Sequence, residues 1–281
     1  MTSHDRPSLD VQEFWRGQGA NGWIQAQSLL DQMFRPHTDV LMQAIRREHP
    51  IRLLDVGCGT GATTVAASQS LPPGSSCVGV DIAPAMIDAA RMRATEAATT
   101  TRFLCADAEY HAFESAHFDL LISRFGIMFF TDPARAFTNL RRAMRAQGQL
   151  IAIAWRSEAD NPFMLTAERA ARPYLPNLAP RTADAPGQFG LARASRTRTL
   201  LGNAGWTDID IRPLDLMCEF PAARLHHYLM HLGPVGRALQ HCDSAQQQRI
   251  INAIAPAFET YRSDDTITFT AACWLIQARA P

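Results

Sequence analysis

One acidic residue and three alternating glycines stand together early in the chain. Asp55 precedes Gly57, Gly59 and Gly61 and follows the apolar pair Leu53-Leu54. Glycine is needed where the backbone takes a positive φ or lies against a ligand, and the free amides at the start of a following helix favour a carboxylate. An acid two residues before the first glycine would repel a pyrophosphate but suit an ammonium group. The pattern predicts a site for a small molecule that has an amino acid end.

The same loop satisfies a second pattern. Gly57, Gly59 and Ala62 match the dinucleotide fingerprint G-x-G-x-x-G/A, with Asp81 as the acid that would bind a ribose. The acid at Asp55 counts against this interpretation. All 27 basic residues are arginine, so the Tyr-x-x-x-Lys pair of short-chain dehydrogenases, a lysine Schiff base and a phosphate-loop lysine are excluded. A nicotinamide-dependent oxidoreductase stays open as an alternative.

Three more segments follow the glycine loop in order. Asp81 comes 26 residues after Asp55, Asp107 follows a short apolar stretch, and a further apolar run, Phe118 to Gly126, contains Ser123 and Arg124. Together with the glycine loop they resemble the four motifs of class I S-adenosylmethionine-dependent methyltransferases. The similarity is greatest to the small-molecule branch that contains ubiquinone and menaquinone methyltransferases.

The resemblance implies S-adenosylmethionine as cofactor and S-adenosylhomocysteine as product. In that family the acid that matches Asp81 binds the ribose hydroxyls, the next residue touches the adenine, and the acid that matches Asp107 reaches the adenine amino group. Trp23, on a predicted N-terminal helix, would either cover the donor or pack the helix onto the sheet. The expected cofactor-binding residues are Asp55, Gly57, Cys58, Gly59, Gly61, Asp81, Ile82, Met86, Asp107, Ala108, Ser123, Arg124 and Trp23.

No residue is identified as catalytic from the sequence alone. His227 and His231 stand four residues apart on one face of a predicted helix, with Tyr228 beside them. One of these side chains would be able to act as a general base for a substrate hydroxyl, whereas solvated or packed histidines are the simpler interpretation. No acid nearby completes a metal set and H-E-x-x-H is absent, so we expect no metal site.

Short strands and helices must position these residues. Strands that are apolar along their whole length and separated by helices predict a parallel sheet covered on both faces. The expected fold is α/β, a Rossmann-like seven-stranded sheet, mostly parallel with the last strand antiparallel, with helices on both faces and a helical cap. By the resemblance, the last strand lies between the fifth and the sixth. The predicted strands are Ile51–Val56, Cys77–Asp81, Arg102–Cys105, Phe118–Ser123, Gln149–Trp155, Thr207–Leu216 and Thr266–Ala278.

Helices are predicted between most of these strands and before the first. They are Leu9–Phe34 with an early break, Asp39–Glu48, Thr63–Ser70, Pro84–Ala97, Pro133–Arg145 and Ser195–Asn203, with a helical excursion from Pro221 to Arg262. One domain, 1–281, is expected. Its core would comprise 39–156, 195–216 and 266–281, and its cap 1–36, 157–194 and 217–262.

The composition limits the partners and the compartment. Basic and acidic residues balance at 27 each, which argues against nucleic acid as a partner. The six cysteines are scattered without a C-x-x-C pair, which is typical of reduced thiols. The polar N-terminus and the lack of an apolar stretch of roughly 18 residues favour a cytoplasmic protein without a membrane span. A monomer and a homodimer are both compatible with the sequence.

The expected function is methyl transfer from S-adenosylmethionine to a small, partly apolar molecule. The transfer would proceed by in-line displacement in a lidded pocket, with oxygen, nitrogen or carbon as the acceptor atom. A non-catalytic module that binds the same cofactor is the second alternative, since the motifs describe binding and not turnover.

Overall fold

Alternating strands and helices form the first half of the chain, in a computed structural model that describes residues 11–281. The central strands form because their residues are apolar and buried on both faces: from Phe118 to Arg124, five of the seven residues are buried. The strands are β1 Arg52–Val56, β2 Ser76–Asp81, β3 Arg102–Cys105, β4 Phe118–Arg124, β5 Met144–Trp155, β6 Thr207–Pro221, β7 Arg262–Ser263 and β8 Thr266–Arg279.

One sheet contains all of these strands, in the order β3-β2-β1-β4-β5-β8-β6, with β7 paired to β8. The strands from β3 to β5 are parallel, and β8 runs antiparallel between β5 and β6. The Rossmann-like α/β prediction, including the antiparallel last strand, is confirmed. The strand order reverses between β1 and β4, and the carboxyl ends at such a point are where open α/β sheets bind ligands.

The predicted number of strands and several predicted bounds were wrong. The sheet has eight strands and not seven, because Arg262–Ser263 turns back onto the start of β8. Strand β6 continues past Leu216 to Pro221, because it pairs with β8 as far as that residue. The helix after β4 ends at Ala143 and not at Arg145, because Met144 is extended and pairs with Phe118.

Helices lie on both faces of the sheet. The predicted helix Leu9–Phe34, whose first two residues lie outside the described part, is divided at Gly17 and Ala26 into three pieces, and the next helix begins at Arg35 and not at Asp39. The helices are α1 Val11–Arg16, α2 Gln18–Gln25, α3 Gln27–Met33, α4 Arg35–Glu48, α5 Ala62–Ser70, α6 Pro84–Glu96, α7 Pro133–Ala143, α8 Pro162–Ala171, α9 Ala194–Asn203, α10 Leu225–His231, α11 Gly233–Leu239 and α12 Ser244–Ile254.

Strands β6 and β8 extend beyond the end of β5 as a two-stranded ribbon, and α8 and α10–α12 pack together as a helical layer next to it. Where β5 ends, the buried Asn161 side chain replaces a strand partner: its amide group donates to the Ala272 carbonyl and its oxygen accepts from the Ala272 amide, both at 2.9 Å. The Phe163 ring of α8 stacks on Phe269 of the ribbon at 3.8 Å. The ribbon therefore joins the helical layer to the sheet.

Candidate functional site

The glycine loop follows β1 and is held by hydrogen bonds to the end of β2. The amides of Gly57 and Cys58 donate to the Val80 carbonyl at 2.8 and 3.1 Å. Gly57 has a φ of 68°, and a Cβ there would lie 2.6 Å from the Cα of Gly126. Gly59 has a φ of 55°, but a Cβ there would meet no atom within 4 Å. The glycine loop therefore contacts the loop that follows β4, which we call the β4 loop, at Gly57. It leaves open space beside Gly59.

A small cleft lies between this loop and the N-terminal helices. We call it the Asp55 cleft. It collects the predicted residues Asp55, Gly57, Cys58, Gly59, Arg124 and Trp23 in one place. Its lining is Trp23, Gln27, Leu30, Asp31, Asp55, Gly57, Cys58, Gly59, Thr60, Thr63 and Arg124.

Asp55 is the acid at the base of this cleft, with 1% of its surface exposed. Burial raises its pKa to about 6, an effect that the hydrogen bond from Thr64 and the charge of Arg124 partly oppose. The Thr64 hydroxyl donates to Asp55 Oδ2 at 2.6 Å. A carboxylate with so little water around it interacts strongly with any cation that enters the cleft.

Arg124 supplies the opposite charge on the same cleft. Its Nη1 donates to Thr38 Oγ1 at 2.8 Å, and burial lowers its pKa from the ordinary arginine value while Asp31 and Asp55 oppose that effect. Asp31 is itself bound to Arg93 at 2.7 Å. The cleft therefore presents an acid and a base that suit the ammonium and the carboxylate of an amino acid.

Asp81 ends β2 next to the glycine loop. Its Oδ2 accepts from the Gly59 amide and its Oδ1 from the Ala83 amide, both at 2.9 Å. Burial raises its pKa, and these backbone hydrogen bonds partly oppose the rise. Ile82 follows it half-buried, and Met86 is buried in a small apolar cluster with residues of α2. Asp81 therefore holds the glycine loop at the end of β2.

The remaining predicted cofactor residues lie outside the lining of the cleft. Asp107 Oδ1 accepts from the Glu109 amide at 2.9 Å and shapes the turn after β3, and Ala108 is buried in the main core. The buried Ser123 donates to the Val56 carbonyl at 2.7 Å and accepts from the amides of the next loop. Its hydroxyl therefore joins the β4 loop to the end of β1.

The three candidate catalytic side chains lie on α10 and do not line the Asp55 cleft. The His227 ring nitrogen lies 3.1 Å from the Gln25 carbonyl oxygen, and its ring centroid lies 4.5 Å from that of His231. Tyr228 is buried and stacks on Phe220. In the described part of the chain, no group of three histidine, cysteine or acidic side chains is arranged to hold a metal.

Five cleft residues were not among the expected cofactor-binding residues: Gln27, Leu30, Asp31, Thr60 and Thr63. A usable signal was present for two of them. Trp23, Gln27 and Asp31 follow each other at intervals of four residues, the spacing that places side chains on one face of a helix. The helix is divided at Ala26, but these three side chains still line the cleft together. They form its wall opposite the glycine loop.

Comparisons with known proteins match much of the chain to methyltransferases and to an uncharacterised relative. The family model described as "Methyltransferase domain" matches residues 54–152. An uncharacterised protein of Mycobacterium tuberculosis is 27% identical over 215 residues, 76% of this chain and 75% of that protein. Demethylmenaquinone methyltransferase of Thermus thermophilus is 31% identical over 144 residues, 51% of this chain and 64% of that enzyme.

The sheet also resembles solved structures. The crystal structure of a putative methyltransferase from Bacillus halodurans superimposes with a TM-score of 0.54 and 17% identity, covering 86% of this chain and 98% of that one. At this level of identity the likeness shows the fold alone. No helix in the described residues is both long and apolar enough to cross a membrane.

Proposed function

We propose that this chain, an S-adenosylmethionine-dependent methyltransferase, transfers the methyl group to a small, partly apolar molecule at oxygen, nitrogen or carbon. The observation that carries the proposal is the pairing of Asp55 and Arg124 on one cleft beside a glycine loop with open space at Gly59. An acid and a base on one cleft suit the zwitterionic end of the cofactor, and the Asp55 carboxylate would repel a phosphate.

The residues present fit the cofactor in each of its parts. Asp55 would bind the ammonium group, Arg124 the carboxylate, and Asp81 the ribose hydroxyls, since each carboxylate oxygen has a lone pair left beyond its backbone hydrogen bond. Ile82, Met86 and Asp107 would surround the adenine. When bound, the cofactor supplies a methyl group that is electrophilic because it is attached to a sulfonium.

The protein's own contribution is alignment and the exclusion of water. Helices α2 and α3 cover the Asp55 cleft and bring Trp23 onto it, where an aromatic face attracts a cation. Holding the reacting atoms in line contributes on the order of 7–11 kcal/mol to such a reaction. No histidine lines the cleft, so a proton that must leave the acceptor would be taken by water or by a group of the helical layer.

The acceptor would enter from the side of the N-terminal helices and the β4 loop, with the helical layer as the expected cap. The Trp15 ring lies 5.6 Å from Trp23 and 5.1 Å from Phe129, edge to face. Aromatic walls of this kind favour a flat, partly apolar molecule. Demethylmenaquinone, on which the Thermus relative acts by its name, has such a ring.

Titration calorimetry with three ligands in parallel tests the proposal. We expect S-adenosylmethionine and S-adenosylhomocysteine to bind and NADH not to bind. Binding of NADH alone would show that the glycine loop holds a pyrophosphate and that the oxidoreductase alternative is right. Binding of the adenosyl ligands without S-adenosylhomocysteine formation across a panel of aromatic and amine acceptors would favour the non-catalytic alternative.

Replacing Asp81 with asparagine is expected to weaken S-adenosylmethionine binding tenfold or more, about 1.4 kcal/mol. Asp81 now accepts hydrogen bonds from two backbone N–H groups. The asparagine amide has only one accepting oxygen, so its NH₂ group would face one of these N–H donors. The ribose would lose its acceptor and the glycine loop would lose an anchor. The exposed Asp88→Asn change on α6 is the matched control, and equal affinities in the two variants would contradict our placement of the ribose.

A further inference from the structure

A phenylalanine in a strained backbone conformation directly follows Arg124. Phe125 has a φ of 65°, in the left-handed region that a residue with a large side chain seldom adopts. A glycine would make the same turn without strain, so the Phe125 side chain must contribute something that glycine cannot. Residues held in such conformations are concentrated at functional sites, where the surrounding structure fixes them. The contacts of Phe125 therefore indicate what its strain achieves.

The Phe125 ring is buried against three other rings, and we call these four residues the Phe125 cluster. It stacks on Trp155 at the end of β5, with ring centres 4.8 Å apart and 9° between the planes. It also lies 5.0 Å from Phe34, edge to face, and 5.0 Å from His37. Aromatic contacts of this kind add stability beyond burial alone. The cluster therefore fixes the β4 loop against the start of α4.

The same turn of α4 also holds Arg124. The Arg124 Nη1 donates to Thr38 Oγ1 at 2.8 Å, and the Thr38 hydroxyl donates to the Phe34 carbonyl at 3.5 Å. Burial and the charge of Arg124 lower the pKa of His37 to about 3, so the ring beside Thr38 is neutral and does not repel the guanidinium. The start of α4 therefore holds Phe125 by its ring and Arg124 by its charged end.

We propose that Phe125 is a positioning residue of the cofactor site, whose ring holds the β4 loop so that Arg124 faces the Asp55 cleft. The inference rests on the proposed function, in which Arg124 binds the carboxylate of S-adenosylmethionine. Phe125 does not line the cleft, so it acts through its neighbour. An arginine side chain loses much rotamer freedom when it is ordered, and holding it before the ligand arrives reduces that cost of binding.

Three substitutions test this series of contacts. Phe125→Leu keeps an apolar side chain and removes the stacked ring. Thr38→Val removes the acceptor of Arg124 and keeps the shape of a half-buried side chain. Arg124→Gln removes the charge itself and sets the largest effect to be expected. Phe163→Leu is the matched control, because Phe163 is also buried and stacked, on Phe269, but lies outside the cleft.

Two ligands separate the positioning of Arg124 from general damage to the fold. S-adenosylhomocysteine has the amino acid end that Arg124 would bind, and methylthioadenosine lacks it. In calorimetric titrations we expect Phe125→Leu and Thr38→Val each to weaken S-adenosylhomocysteine roughly fivefold or more and methylthioadenosine less than about twofold. Phe163→Leu should lower the Tm as Phe125→Leu does, but should leave the ratio of the two affinities unchanged.

Combining Phe125→Leu with Thr38→Val gives a further test. Because both changes act through Arg124, the double variant should bind S-adenosylhomocysteine no more weakly than Arg124→Gln does, so the two effects should not add. Full additivity beyond the effect of Arg124→Gln would overturn the inference. If Phe125→Leu does not fold, Phe125→Met takes its place under the same criteria, since methionine fills nearly the same volume with a flexible side chain.

The remaining outcomes distinguish this inference from the proposed function. If S-adenosylhomocysteine does not bind to the parent, or binds to Arg124→Gln as tightly as to the parent, the proposed function or its placement of the carboxylate fails. If Arg124→Gln weakens S-adenosylhomocysteine selectively but Phe125→Leu weakens both ligands equally, or neither, then Phe125 does not position Arg124. In that case the inference is wrong and the proposed function stands.

Discussion

The Asp55→Asn variant is expected to be more stable than the parent at neutral pH and to bind no S-adenosylmethionine. Burial raises the pKa of Asp55 from 3.8 to about 6, so the folded protein carries an ionised group that is more costly than in the unfolded chain. Each pKa unit corresponds to about 1.4 kcal/mol, so we expect a gain of about 1–3 kcal/mol in the free energy of unfolding. The same carboxylate would bind the ammonium group, so its loss removes the cofactor's anchor.

The pH dependence of stability gives this prediction a definite sign. Because the pKa of Asp55 is higher in the folded state, its contribution favours folding below pH 4 and is lost as the pH rises through about 6. The difference between Asp55→Asn and the parent should therefore be greatest above pH 6 and vanish below pH 4. Thermal unfolding from pH 4 to 8 measures it, with the exposed Asp39→Asn as control.

Two outcomes would contradict the assignment of Asp55. A variant less stable than the parent at pH 7.5 would show that the hydrogen bond from Thr64 and the attraction to the charge of Arg124 outweigh the cost of burying the carboxylate. A variant with unchanged affinity for S-adenosylmethionine would show that the ammonium group lies elsewhere. In the parent, affinity for the cofactor should fall as the pH is lowered below about 6, since the free protein then carries a protonated Asp55.

Replacing Gly57 with alanine is expected to destabilise the fold severely, whereas Gly59→Ala should cost little stability and still impair cofactor binding. Both residues have a positive φ, a conformation that costs an alanine roughly 1–2 kcal/mol. At Gly57 the added methyl would also lie 2.6 Å from the Cα of Gly126, so the backbone would have to shift. We expect a loss of about 3 kcal/mol or more there.

At Gly59 the same methyl enters open space beside the Asp55 cleft, so only the backbone strain remains for the free protein. The methyl would then occupy volume that the cofactor needs. Denaturant unfolding and titration with S-adenosylhomocysteine separate the two effects. Equal destabilisation by the two variants would show that the contact between Gly57 and Gly126 adds nothing to the backbone strain, and unchanged affinity in Gly59→Ala would place the cofactor away from Gly59.

The centre of the sheet could be predicted from the sequence because strands β1, β2 and β4 are buried on both faces and therefore apolar along most of their length. The end of β6 could not. From Met217 to Phe220 exposed and buried residues alternate, a pattern of period two that continuous apolar runs do not show, and the strand exists there because β8 pairs with it. The antiparallel position of β8 came from the family resemblance and not from periodicity.

Some residues of the site could likewise be predicted from the sequence, and others could not. Asp55 and the glycines were predictable because their spacing is local, and one strand and one turn bring them together. Asp31 was predictable only in part: its spacing from Trp23 and Gln27 indicates one helix face, but its place in the cleft depends on how α3 packs across the glycine loop and on its ion pair with Arg93. Ser123 was predicted as a cofactor residue, yet its hydroxyl is engaged by the Val56 carbonyl, a partner that only the folded sheet reveals.

The interior position of β8 also determines how the chain can be made. Strand β6 ends at Pro221 and its neighbour in the sheet begins at Thr266, so a ribosome that adds about 5–20 residues per second delivers that neighbour completely only after roughly 3–12 s. During this interval the apolar edge of β5 and all of β6 have no partner. Unpaired edges of this kind recruit other chains, so newly made chains should need chaperone protection until β8 has emerged.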